Sequence, residues 1–285
     1  MGGGCPFMPL TEFQKQIAVL LSRNRTPDSY LAGGAALHFA PNTLRYSNDL
    51  DFFHDSEKRV AEAYTEDAAL LRDRGMSLEI EMNQPGYIRA TVESGGNSTK
   101  IEWAHDSAWR FLPVLYHEKT GYQLHPVDIA VNKALALAGR DEARDFLDVL
   151  FIHREVLPLG ALVWAASGKD PGFTPHSLLE LLKRRGRYRP EDFTRLHLAV
   201  QIKLTDLKKK WLLALERAER FIDSRPASEI GCLYYSPGRR TFVEPASTQD
   251  PADSGTQPHF GRPGGVLPRF YQGDLLSESV VRVEL

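Results

Sequence analysis

The spacing of apolar residues changes several times along the chain, and each change marks an element. In residues 11–22, Phe13, Ile17, Leu20 and Leu21 fall on one stripe at helical spacing, and Thr11 stands where an N-cap is needed. Asp28 to Leu31 reads as a short strand. Gly33-Gly34 then opens a helix through Phe39, which Pro41 stops. Leu50-Asp51-Phe52-Phe53 is apolar enough for a buried strand, and Ser56 to Arg74 is a long amphipathic helix ended by Gly75. Three strands follow, Leu78–Met82, Tyr87–Val92 and Thr99–Trp103. Turns at Gln84-Pro85-Gly86 and Ser94-Gly95-Gly96-Asn97 separate them. The first half is therefore expected to be a mixed sheet flanked by helices.

From Pro126 the period becomes helical. Val127–Ala138 ends near Gly139, and Asp141–Val156 ends before Pro158. Thr174–Arg185 follows, with Ser177 to Glu180 resembling a capping box. Pro190–Ile222 gives one long helix or two short ones. After Ser236, Pro, Gly, Ser and Thr dominate up to Pro268, which predicts a loop-rich or partly disordered tail. The expected organisation is a core domain over 1–125, a helical domain over 126–235 and a tail over 236–285. No internal repeat is present.

Composition narrows the setting. The chain has 285 residues, 42% hydrophobic and 25% charged, which is ordinary for a globular protein of one large or two smaller domains. No apolar run is long enough for a membrane span, so no membrane partner is expected. Met1-Gly2-Gly3-Gly4-Cys5 has neither a basic nor an apolar signal region, and the two cysteines, Cys5 and Cys232, make no disulfide framework. A reducing cytoplasm is the default. Net charge is −2, so a nucleic-acid partner would have to be held by a local patch. Lys183, Arg184, Arg185, Arg187 and Arg189 form one candidate patch, and Lys203 with Lys208-Lys209-Lys210 forms another. The bland reading of both is two solvated helix ends.

The chemistry concentrates early in the chain. Gly33 and Gly34 precede a helix, where bare backbone N–H groups suit a phosphate. Asp49 and Asp51 are separated by one residue, so on a strand both point to the same face. Acids within an apolar strand need a cation or strong donors. A hard divalent ion carrying a triphosphate answers both features. Ser47 can donate to a phosphate oxygen or can be an ordinary strand-edge serine. Glu102, from a neighbouring strand, would complete a two-metal site, with Glu79 and Glu81 as rivals. Lys133 lies in a strongly apolar helix and is either a snorkelling surface residue or a buried cation. Asp141, Asp145 and Asp148 have i, i+4, i+7 spacing, which by itself reads as a salt-bridged surface helix.

Three blocks together resemble the AbiEii/MenT-type nucleotidyltransferase toxins of the DNA polymerase β superfamily. They are Gly33-Gly-Ala-Ala-Leu followed by Arg45-Tyr-Ser-Asn-Asp-Leu-Asp-Phe, then Lys100-Ile-Glu-Trp, then Lys133 through Asp148. The resemblance implies an α+β fold, with a polymerase-β-like nucleotidyltransferase domain whose mixed sheet is flanked by helices, followed by a mainly helical C-terminal domain. It implies Asp49, Asp51 and Glu102 as metal ligands for Mg²⁺ or Mn²⁺, and Gly33, Gly34 and Ser47 as holders of the NTP triphosphate. Lys133 would touch the nucleotide phosphates, Asp148 would lie near the reactants and Asp145 beside it. The implied activity is attack of a hydroxyl on the α-phosphate of an NTP, with RNA, specifically the tRNA 3′ end, as acceptor and a cognate antitoxin as partner. A small-molecule or protein hydroxyl is the alternative acceptor, and a non-catalytic NTP-binding module the alternative class.

Overall fold

The computed structural model describes residues 10–37, 44–246 and 255–268. The expected helix end at Phe39 and Pro41, Cys5, and the tail after Pro268 lie outside the described residues. The chain divides into two compact units. Of the described residues, 10–37, 44–129, 197–200 and 263–265 form one; 130–196, 201–246, 255–262 and 266–268 form the other.

The first unit is built on a seven-stranded sheet. Its elements are α1 (Glu12–Leu21), β1 (Ser29–Ala32), α2 (Gly33–Leu37), β2 (Asp49–His54), α3 (Glu57–Asp73), β3 (Ser77–Gln84), β4 (Tyr87–Ser94), β5 (Asn97–His105), β6 (Trp109–Arg110), β7 (Leu115–His117) and β8 (Gly121–Gln123). The strand order is β3-β4-β5-β2-β1-β8-β7. β2 runs parallel to β5 and antiparallel to β1, and β1 runs parallel to β8, so the sheet is mixed as expected. The α1 stripe behaves as its spacing predicts. Phe13, Ile17, Leu20 and Leu21 enter one apolar core with Leu50, Phe52, Val60, Ile101 and Trp103. Thr11 and Gln14 close the start of α1 with a reciprocal capping box.

A polar knot sits inside this core. Asp67, fully buried on α3, receives Arg25 Nη2 at 2.6 Å, Trp103 Nε1 at 2.7 Å and Asn24 Nδ2 at 2.9 Å. The Arg25 guanidinium lies 4.4 Å from the centroid of Phe52. Phe52 and Trp103 face away from Asp51 and Glu102, so the knot braces the backs of β2 and β5.

Helix α4 (Pro126–Arg140) spans the division between the units. In the second unit lie α5 (Ala143–Glu155), α6 (Leu159–Lys169), α7 (Pro175–Lys183), α8 (Leu204–Asp223) and a three-stranded sheet ordered β10-β9-β11. Its strands are β9 (Cys232–Ser236), β10 (Thr241–Val243) and β11 (Gln257–Phe260).

Four local expectations change. Helix α6 has no polar face to give it a period, because Leu159 through Ser167 are all buried. The expected helix from Pro190 is only a 3₁₀ turn, Pro190–Phe193, before α8 starts at Leu204. The intervening backbone is recruited elsewhere: Tyr46 N donates to His197 O at 2.8 Å and Ala199 N to Leu44 O at 2.9 Å. Asp141 lies outside α5, at φ +50°, so it does not share a helical face with Asp145 and Asp148. The stretch after Ser236 supplies β10 and β11, whose cross-strand partners on β9 lie upstream of it in the chain.

Candidate active site

Strand pairing assembles the acidic group. Asp49 and Asp51 alternate with buried Leu50 and Phe52 on β2, so the apolar residues fix which face the acids occupy. The parallel register places Glu102 of β5 beside Asp51. One carboxylate oxygen from each of Asp49, Asp51 and Glu102 lies within 4.8 Å of the others, and all three residues are half-buried. Among the described residues this is the group of acids able to share an ion. Glu81 is instead turned to Lys100 (2.8 Å) and Thr91 (2.6 Å), and Glu79 is exposed. An all-carboxylate donor set suits a hard ion of the Mg²⁺ or Mn²⁺ kind.

β1 ends at Ala32, whose partner on β2 is Asp51, and the chain turns there through Gly33. Gly33 has φ +61°, and a Cβ on it would stand 1.8 Å from Asp51 Oδ2. Only a glycine lets the backbone pass so close to this carboxylate. The next amide, Gly34 N, donates to Asp51 Oδ2 at 3.3 Å. A Cβ on Gly34 would lie 3.0 Å from Ser47 Oγ and 3.1 Å from Arg45 Nη2. Ser47 precedes β2 and donates to Asp49 O at 2.9 Å, a bond that holds the approach to the acidic strand. Arg45, at 3% exposure, walls the same turn. It stands in the same sequence block as Ser47, Asp49 and Asp51, and its burial against the turn carries no local signature in that block.

Glu102 also has a partner that the sequence did not reveal. Arg89 faces it across β4 and β5, with Nε at 2.9 Å and Nη2 at 2.6 Å from the same oxygen, Oε1. Alternation along β4 and β5 could have placed Arg89 on the acidic face once the pairing register was known. Tyr87, two residues before Arg89, has its hydroxyl pushed up to about 12 by burial and by the Glu102 charge.

The second group belongs to the other unit. Lys133 on α4 is buried, which settles it as a buried cation. Its Nζ lies 2.8 Å from Asp148 Oδ2 and 3.2 Å from Asp145 Oδ1, both carboxylates being fully shielded. Arg140 adds Nε to Asp145 Oδ2 at 2.6 Å. Burial alone would raise the Asp145 carboxyl, but the Arg140 hydrogen bond and the charges of Lys133 and Arg140 hold it below the usual range. The surface-helix reading of Asp145 and Asp148 is therefore overturned.

The basic stretch is partly committed within the unit. Lys183 pairs with Glu180 (2.7 Å) and Glu219 (2.6 Å), and Arg185 with Asp141 (3.0 Å). Tyr188 OH donates to Asp141 at 2.6 Å. Arg184, Arg187 and Arg189 are exposed.

With this geometry in place, a family model decides the assignment. Residues 20–230 match the model described as nucleotidyl transferase AbiEii toxin, type IV toxin–antitoxin system. The chain belongs to the AbiEii nucleotidyltransferase toxin family. Membership makes it a nucleotidyltransferase with a nucleoside triphosphate substrate, and implies an antitoxin partner. Solved structures similar to this AbiEii-family chain include JHP933 from Helicobacter pylori, at 19% identity, TM-score 0.43, covering 75% of this chain and 97% of that one. They also include MenT4, a nucleotidyltransferase toxin from Mycobacterium tuberculosis H37Rv, at 16% identity, TM-score 0.48, covering 76% and 83%. A sequence comparison with curated proteins gives no match. No helix among the described residues is long and apolar enough to cross a membrane.

Proposed function

We propose that this AbiEii-family enzyme transfers a nucleotide from an NTP to the 3′ end of RNA, with tRNA as the acceptor, and thereby blocks translation and growth in the cytoplasm until its antitoxin intervenes. The observation that carries the reading is the acidic group of Asp49, Asp51 and Glu102 lying against the Gly33-Gly34 turn, inside the residues matched by the family model. Asp49, Asp51 and Glu102 hold Mg²⁺ (or Mn²⁺), which when bound lowers the pKa of the attacking hydroxyl and offsets charge on the triphosphate.

The chain's own residues do the rest. Gly33 and Gly34 keep the backbone against Asp51, Ser47 and Arg45, where a side chain would clash, and hold the triphosphate through their backbone. Ser47 fixes the entry to β2 by donating to Asp49 O, and switching that single donor to a triphosphate oxygen is the role we assign it with nucleotide bound. The family resemblance gives Lys133, which Asp145 and Asp148 hold within the second unit, the role of a point charge for the nucleotide phosphates. In the transfer, the acceptor oxygen bonds to the α-phosphorus, the bond to the β-phosphate oxygen breaks, and pyrophosphate leaves. Exposed Arg184, Arg187 and Arg189, with Lys183 and Arg185 beside them, offer a phosphate-binding patch for the RNA, which predicts salt-sensitive binding.

The test is incubation of purified protein with each α-labelled NTP and total RNA, protein or metabolites in separate reactions, followed by sequencing of RNA 3′ ends. Label at tRNA 3′ ends, lost in Asp51→Ala, supports the reading. Label confined to protein or to small molecules rejects RNA as the acceptor. Growth arrest that persists at equal expression of Asp51→Ala rejects catalysis as the cause of toxicity.

A further inference from the structure

Glu102 already engages one cation of the protein itself, Arg89. The nucleotidyl-transfer reading assigns it to the divalent ion, yet two nitrogens of Arg89 already meet its Oε1, at 2.9 and 2.6 Å. The pair is partly exposed, with side-chain exposures of 34% for Arg89 and 18% for Glu102. The guanidinium is held there by Glu102 and by Tyr87, whose ring centroid lies 5.5 Å away, while remaining in partial contact with water. An ion bound to Glu102 and to Asp51 beside it would stand within a few ångströms of this fixed positive charge.

We propose that Arg89 competes with the divalent ion for Glu102 and so weakens the hold of the three carboxylates on a bare ion, leaving triphosphate oxygens to complete its binding. Arg89 acts through Glu102 as a positioning residue. The consequence is ordered loading, in which the ion is retained firmly only together with nucleotide. The inference rests on the metal-site reading of Asp49, Asp51 and Glu102. Two opposing effects decide its sign. Charge repulsion between a guanidinium and a divalent ion about 5 Å apart at a solvated site, reduced by salt, lowers affinity roughly five- to tenfold. Orientation of a ligand by an outer partner instead raises affinity, by about ten- to a hundredfold where the ligand depends on it. Asp51, the ligand beside Glu102, takes its position from Gly34 N and not from Arg89, so the site keeps a placed carboxylate without the guanidinium and repulsion dominates.

The experiment measures Mn²⁺ affinity without nucleotide, from the free-ion electron paramagnetic resonance signal, in the full chain and in Arg89→Gln, Arg89→Lys, Asp51→Asn and Glu102→Gln/Arg89→Gln. The expected result is binding about five- to tenfold tighter in Arg89→Gln, near-native binding in Arg89→Lys, and loss of the gain when Glu102→Gln is added. Unchanged or weaker binding in Arg89→Gln, while Asp51→Asn abolishes binding, overturns this inference and leaves the metal site standing. Equal binding by the native chain and Asp51→Asn overturns the metal site and this inference with it.

Discussion

Gly33→Ala separates backbone strain from active-site geometry. The substitution carries two penalties at once. At φ +61° a Cβ crowds the local backbone, at a cost of about 1–2 kcal/mol. The same Cβ would stand 1.8 Å from Asp51 Oδ2, 2.4 Å from Cγ and 2.7 Å from Cβ. Atoms at those separations overlap, so the Asp51 carboxylate must move by roughly 1 Å or more, and a misplacement of about that size costs on the order of a hundredfold in rate. Gly75 provides the control. It has φ +72° and nothing within 4 Å of its Cβ position, so Gly75→Ala carries the backbone penalty alone. Gly75→Ala should melt about 2–8 °C below the native chain, on the scale of a unit of this size, and Gly33→Ala further below because it carries the overlap as well. Nucleotidyl transfer from a labelled NTP, measured at equal concentrations of folded protein, should fall about a hundredfold in Gly33→Ala and stay within twofold in Gly75→Ala. Transfer by Gly33→Ala within twofold of native would refute the argument that this glycine exists to admit the Asp51 carboxylate.

Three further outcomes follow from buried charge. Asp67→Ala leaves the buried Arg25 guanidinium without its carboxylate and should cost about 3–5 kcal/mol in urea unfolding. Lys133→Met leaves Asp145 and Asp148 buried with Arg140 as a remaining cation and should cost about 3 kcal/mol by the same measurement, so its activity must be compared at matched folded fraction. His54 is fully buried, and desolvation together with the charges of Arg25 and Arg59 pushes its ring down to about 3 from 6.5. The unfolded chain therefore takes up a proton that the folded chain refuses, and stability contributed by His54 is present above pH 6.5 and lost as pH falls toward 3, by about 1.4 kcal/mol per pH unit. His54→Leu should flatten that slope between pH 6 and 5 in denaturant titrations; an unchanged slope would exclude His54 as its source.

Periodic segments were legible because one side of each is buried and the other is not. The α1 stripe, the α3 amphipathic run and strands β4 and β5 carry that contrast in their spacing, and the structure realises them; β3, exposed along nearly its whole length, was marked by its β-forming residues and flanking turn instead. Helix α6 does not, since a segment buried all round has no period to read. The strands after Ser236 escaped because their pairing partner, β9, lies outside the Pro- and Gly-rich stretch itself.

For the site, the chain by itself determined which residue types were available. Gly33-Gly34, the Asp49/Asp51 alternation and the family blocks all follow from local order, because glycine geometry and strand alternation are properties of adjacent residues. Which carboxylate joins them was decided by tertiary register. Glu79, Glu81 and Glu102 are equivalent as strand acids, and only the parallel pairing of β2 with β5 places Glu102 beside Asp51. The antiparallel pairing of β4 with β5 brings Arg89 onto Glu102, and helix packing turns Lys133, Asp145 and Asp148 from an ordinary charged surface into a buried ion cluster. Contacts between residues far apart in the chain carry no local signature, so their energies appear only once the fold has closed.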